Sequence, residues 1–110
     1  MARKKRRRRI KNKKIIPLNT KNLGNDISAY PFVEIEWSDI EGDAGWSDTK
    51  DLNKSKLPIC VSKGYLVSQK DGVTRIFTDY IKSKDKPTFH SIGNTTIIPT
   101  SVIVSIKKLS

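Results

Sequence analysis

Cysteine, histidine and long apolar runs are nearly missing from this 110-residue chain. Cys60 is the one cysteine, which excludes an internal disulfide and a cysteine-rich zinc site. It sits in the apolar run Ile59-Cys60-Val61 and reads as a small buried core residue, not a reactive thiol. A lone thiol suits a reducing cytoplasm. His90 is the one histidine, beside Phe89 in a polar stretch that reads as an exposed loop, and no nucleophile accompanies it. No apolar run approaches the roughly 20 residues of a transmembrane helix. Ile15-Ile16-Pro17-Leu18 is shorter than the about 7–15 apolar residues of a signal-peptide core, so secretion is not expected. Walker loops, dinucleotide turns, nucleophile elbows and His-Glu-x-x-His patterns are absent. Asp39, Glu41 and Asp43 alternate like half a calcium loop, but the glycine and terminal glutamate that loop needs are not at its spacing. No catalytic residue, metal site or cofactor is therefore expected, and the chain reads as a non-enzyme.

What the chain has in excess is positive charge, and it is confined to one end. Arg3, Lys4, Lys5, Arg6, Arg7, Arg8, Arg9, Lys11, Lys13, Lys14 and Lys21 are uninterrupted by any Asp or Glu. The other eleven Lys and Arg are matched by eleven acids, so the net charge of +11 resides in residues 1–22. At this density like charges repel, and the free arm is expected to be disordered. Guanidinium and ammonium groups match phosphate oxygens, and neutralising a polyanion releases counterions. With no aromatic residue among 1–14, the arm encodes affinity for phosphate without base stacking or base readout. An anionic membrane is the poorer partner because little apolar surface accompanies the charge. A polyacidic protein, or a nuclear-import receptor in a eukaryotic host, fits the same residues.

Beyond a linker at 23–31, where Gly24, Asn25 and Pro31 interrupt regular structure, residues 32–110 read as β. Phe32 to Trp37 alternates, with Val33, Ile35 and Trp37 on one face and Glu34 and Glu36 on the other. A turn-rich stretch follows, and Asp48 is placed to cap a short helix running to about Lys56, with Pro58 as a stop. Ile59 to Ser68 predicts a second strand in which Ile59, Val61, Tyr65 and Val67 share parity with Lys63. Gly64 within it predicts a bend or bulge. Asp71-Gly72 signals a hairpin into a third strand, Val73 to Ile81, with Arg75 facing solvent. Lys82 to Asn94 reads as an exposed loop. Thr95 to Ile98 and Val102 to Leu109 read as the last two strands, around a tight turn at Thr100-Ser101. Five short strands and one helical turn predict an all-β, SH3-like or Sm-like barrel with an OB-like barrel as the alternative.

The body resembles a group of small proteins encoded by tailed bacteriophages and prophages. The residues that carry the resemblance are Val33 to Asp39, Gly45-Trp46, Gly64 to Val67, and Ile98-Pro99 through Ile103 and Ile106. It spans about residues 32–109 and leaves out the arm. It implies a phage origin, an SH3-like or Sm-like barrel, and a place in the bacterial host cytoplasm or in the virion. It carries no activity and no catalytic residue.

The expected function is therefore sequence-independent nucleic-acid binding through Arg3 to Lys14. A secondary basic face is expected from Lys63, Arg75, Lys82, Lys84 and Lys86. The alternative is a virion or assembly component whose barrel docks on another phage protein. Trp46 reads first as a lid over the barrel end and second as a partner contact. Tyr65 and Tyr80 are strand residues of the kind small barrels use, beside cations, to hold oligonucleotides. The body's charges are also divided: Glu34 to Asp51 holds seven acids and one base, and Leu52 to Ser110 holds ten bases and three acids. That acidic stretch reads either as ordinary solvated loops or as a holding surface for the arm.

Overall fold

The computed structural model describes residues 13–17, 24–84 and 87–110. Five strands form one antiparallel sheet: β1 (Phe32–Ser38), β2 (Ile59–Lys70), β3 (Val73–Lys82), β4 (Phe89–Pro99) and β5 (Ile103–Lys108). The order β4-β3-β2-β1-β5 is a four-strand meander whose last strand returns to the free side of the first. With a 3-10 turn at Thr100–Val102 joining β4 to β5, this is the SH3-like arrangement. A helix, α1 (Thr49–Lys54), lies in the long excursion between β1 and β2.

The sheet curls on itself. Ile98 from one end strand shares an apolar cluster with Ile103 and Ile106 from the other, together with Val33, Ile35, Leu66 and Ile76. Each such burial contributes roughly 1.5–3 kcal/mol. Register shifts between Glu36 and Trp37, Leu66 and Ser68, and Tyr80 and Lys82 supply the local bending that curling demands. The opposite face carries a second cluster of rings, Tyr30, Phe32, Tyr65, Phe77, Tyr80 and Phe89, with centroids 5.0–6.0 Å apart. Phe77 and Phe89 are buried within it. Edge-to-face and offset contacts at these distances are favourable beyond the area they bury.

The local signals explain most elements. Asp71 and Gly72 both hold positive φ, 56° and 77°, as the two-residue hairpin turn requires. The Asp48 carboxylate accepts the Asp51 N–H at 2.8 Å and caps α1. The helix ends at Lys54, before Pro58, and buries no side chain.

Several expectations change. β4 starts at Phe89, inside the stretch read as a loop, because Phe89 is drawn into the ring cluster and the Asn25 carbonyl accepts its N–H at 2.9 Å. His90 is thus an exposed strand residue. In β2 the parity of Ile59 and Val61 is the outer one, each being about half exposed. The register sets Val33, Ile35 and Trp37 against Gly64, Ser62 and Cys60, so β2 is small where β1 is bulky. Trp37 is half-buried, packs on the core, and donates from Nε1 to Ser62 Oγ at 2.9 Å. Cys60, opposite Trp37 at the end of the β1–β2 ladder, is likewise half-buried and not a core residue. Gly64 is not the bulge, which falls between Leu66 and Ser68. It is a point of close approach, where a Cβ would lie 2.8 Å from the Phe77 carbonyl oxygen.

Candidate nucleic-acid interface

Arg3, Lys4, Lys5, Arg6, Arg7, Arg8, Arg9 and Lys11 lie outside the described residues. Lys13 and Lys14 do not, and they show how the arm is rooted. Ile16 inserts into the core cluster and retains 8% exposure. The backbone from Lys13 to Ile16 is tied by three hydrogen bonds. The Ile106 N–H donates to the Lys13 carbonyl at 2.7 Å, Gln69 Nε2 donates to the Lys14 carbonyl at 2.8 Å, and the Ile16 N–H donates to Gln69 Oε1 at 2.9 Å. Gln69 Nε2 also donates to Thr74 Oγ1, at 3.0 Å. One amide side chain thus satisfies the backbone on both sides of Ile15. Lys13 and Lys14 remain exposed while their main chain is held.

This root lies along β5, whose last residues are Lys107 and Lys108. Lys13, Pro17, Ser105, Lys107 and Lys108 line an open groove of about 750 Å³. Pro17 and Lys108 also line a second groove, of about 550 Å³, whose other walls include Ser28, Tyr30, Tyr65 and Tyr80. The two are therefore contiguous. A lysine-lined groove beside the docked residues 13–17 thus borders a tyrosine-lined one at Pro17 and Lys108. Lys107 also faces Glu34, with Nζ 3.6 Å from Oε2, and Lys63 faces the same carboxylate at 3.8 Å. Exposed pairs of this kind contribute at most about 1 kcal/mol, and salt screens them.

The segment leading into β1 frames the tyrosine groove. Asp26 caps a 3-10 turn (Ile27–Ala29), accepting from Ser28 Oγ at 2.7 Å and from the Ser28 N–H at 2.9 Å. Those two bonds hold its carboxyl below the usual carboxylate range. Tyr30 donates from its hydroxyl to the Gly24 carbonyl at 2.5 Å, and burial pushes that phenol up from its ordinary value.

The secondary basic residues are not gathered into one patch. Lys63 is on β2, opposite Glu34. Arg75 is half-buried near the Asp71-Gly72 turn, donating to Ser68 Oγ and the Lys70 carbonyl at 3.3 Å each. Lys82 ends β3, about 23 Å along the strand from Arg75 at 3.3 Å per residue. Lys84 is exposed just beyond it, and Lys86 lies outside the described residues.

Trp46 is fully exposed and does not lid the barrel. Residues 40–59, from the end of the β1 ladder to the start of β2, are exposed throughout, so nothing in that excursion gives the indole a surface to close on. Its carboxylates serve local turns: Asp39 accepts from the Ile40 N–H and Asp43 from the Gly45 N–H. Among the described residues no group of three or more His, Cys, Asp or Glu is placed to hold a metal ion, and no helix is long and apolar enough to cross a membrane.

Sequence reasoning passed over Ile16, Gln69, Lys107 and Lys108. The lysine pair is two of many body cations, and Gln69 stands just before the Asp71-Gly72 turn with nothing in its neighbours to mark it. Their meaning comes from the docking of residues 13–17. No family model, curated protein or solved structure matches the chain.

Proposed function

We propose that this chain is a phage-encoded, non-enzymatic nucleic-acid-binding protein that grips the phosphate backbone through its basic arm, independently of sequence. The carrying observation is the segregation of charge: the whole net +11 lies in residues 1–22, beside a body of balanced charge. The docked root supports the reading, because it sets Lys13 beside Lys107 and Lys108 and so extends the cationic track onto the barrel. The resemblance of residues 32–109 to small tailed-phage proteins supports a phage setting.

Replacing Arg6, Arg7, Arg8 and Arg9 together with glutamine leaves the docked segment untouched and tests the reading. Engaging about 6–10 phosphates makes affinity for a DNA duplex fall about 10³–10⁵-fold between roughly 50 and 200 mM salt. The variant is expected to bind more weakly at the lower salt. Its salt slope should be shallower by about 0.9 for each phosphate no longer engaged. An unchanged affinity and slope would overturn the proposal.

The exposed indole of Trp46 favours a second reading, in which the excursion meets another phage protein while the arm meets packaged genome. Stoichiometric presence in purified particles, measured by mass spectrometry, supports it; absence from particles removes it.

A further inference from the structure

β2 exchanges partners midway. β1 pairs with Ile59 to Tyr65 on one side, and β3 pairs with Tyr65 to Lys70 on the other. Opposite β1, the stretch from Ile59 to Gly64 therefore has no strand beside it among the described residues. The ladder with β1 tells which groups are left over. The Asp39 N–H donates to the Pro58 carbonyl at 3.1 Å, and the Leu66 N–H donates to the Pro31 carbonyl at 2.8 Å. Both pairs keep the register of the unbroken ladder between them, so Cys60, Ser62 and Gly64 turn their N–H and C=O toward β1. Ile59, Val61 and Lys63 turn theirs to the open edge. Leu57, held extended by the proline that follows it, continues the alternation. The side chains of Leu57, Ile59 and Val61 are each about half exposed. Natural sheets guard such an edge with charge, proline or a bulge. Here the one charge is Lys63, which lies 3.8 Å from Glu34 of its own chain.

We infer that this edge receives the same edge of a second copy, antiparallel, about a two-fold axis at Cys60. The run from Leu57 to Lys63 then lies opposite itself reversed. Ile59 of each copy meets Val61 of the other, and the stem of each Lys63 covers the other's Leu57. No two like charges face one another along the run. The groups left over are main-chain donors and acceptors as well as apolar side chains, and another strand edge of the same pattern satisfies both. The interface is small, of the class that buries less than about 1,200 Å² in all and dissociates readily. Two chains of net +11 also repel, so association strengthens as salt screens them. The pair carries two arms, which makes the phosphate binding proposed above bivalent. That consequence alone rests on the nucleic-acid reading.

Sedimentation equilibrium of the full chain, freed of nucleic acid, tests this at protein concentrations from about 1 µM to 1 mM. A reversible monomer–dimer equilibrium is expected, with the dimer more favoured at about 1 M salt than at about 0.1 M. Ile59→Lys combined with Val61→Lys sets two ammonium groups across each central pair and should weaken the dimer at least about tenfold. Both positions are half exposed, so thermal unfolding of the dilute monomer should move little. The native thiol reports the register. Cys60 of one copy lies opposite Cys60 of the other in a non-hydrogen-bonded pair, about 4.5 Å apart at Cα, which a disulfide can span. Mild oxidation of the parent should therefore yield a covalent dimer, and Cys60→Ser should abolish it. A chain that stays monomeric at every concentration and salt overturns the inference. A dimer that the double variant leaves intact also overturns it, because the contact then lies on another surface. Growth beyond the dimer does the same, since a two-fold pairing uses the edge up. A dimer that yields no cross-link overturns the pairing about Cys60.

Discussion

Gly64→Ala separates two accounts of why glycine stands in the middle of β2. A bulge account requires an unusual backbone, but Gly64 is not among the residues with positive φ and pairs in register with Val33. The close-approach account requires that no side chain fit. An added Cβ would lie 2.8 Å from the Phe77 carbonyl oxygen and 3.2 Å from Ile76 Cδ1. The first contact is backbone, so the β2–β3 ladder itself must shift. Overpacking of this kind costs about 1–3 kcal/mol. For a domain of this size each kcal/mol lowers Tm by about 4–8 °C, so thermal unfolding followed by circular dichroism should show a fall of about 4–24 °C. Gly42 has nothing within 4 Å of its built Cβ, and Gly42→Ala should stay within about 0.5 kcal/mol of the parent. Ile76→Val removes the Cδ1 contact and leaves the carbonyl contact. In a double-mutant cycle it should therefore recover only part of the Gly64→Ala cost. A Gly64→Ala protein as stable as Gly42→Ala, or one restored in full by Ile76→Val, would refute the reasoning.

Four further outcomes are expected. Gly72→Ala forces a side chain into φ 77° in the hairpin turn and should cost about 1–2 kcal/mol in chemical denaturation; an unchanged midpoint would mean that the turn relaxes freely. Ile16→Ala removes the anchor of the arm's root, and hydrogen exchange should then speed at the Ile106 amide, which donates to Lys13, while the Ile35 amide within the β1 ladder stays protected. Asp26 is more acidic folded than unfolded, so its contribution to stability is present above the ordinary carboxylate pKa and is lost as pH falls through the lowered folded value. Tyr30 is raised by burial, so stability should fall as pH climbs past about 10, and Tyr30→Phe should flatten that alkaline limb of a pH–stability profile. Trp46→Phe should remove the acrylamide-accessible, red-shifted part of the tryptophan emission and leave the half-buried Trp37 signal; an unshifted spectrum would place Trp46 under cover.

The turn and the cap were legible because their causes are local. Asp71-Gly72 needs only its own backbone preferences, and Asp48 needs only the amide three residues on. The face of β2 was not legible. Counting apolar residues favours Ile59, Val61 and Tyr65 as a set, and only the register with β1 shows that the core side is the one bearing Gly64, Ser62 and Cys60. The start of β4 was missed for a similar reason: His90 to Asn94 is polar, and it is a strand because β3 pairs with it and Phe89 anchors it in the ring cluster. Trp46 reads as a lid over the barrel end because a loop tryptophan usually packs back on a small barrel, whereas this one is fully exposed.

The amino-acid sequence by itself determined that the charge sits at one end, that no internal disulfide can staple the chain, and that the body is built of strands. These follow from residue type and spacing, which need no partner. Tertiary structure decided where that charge meets the body. Ile16 and Gln69, 53 residues apart in sequence, fasten the base of the basic run to the barrel and so bring Lys13 to Lys107 and Lys108. It also decided that Tyr30, Tyr65 and Tyr80, from three separate segments, line one groove. Contacts so distant along the chain depend on how the sheet curls, and the curl depends on register and bulges that no single stretch of sequence specifies.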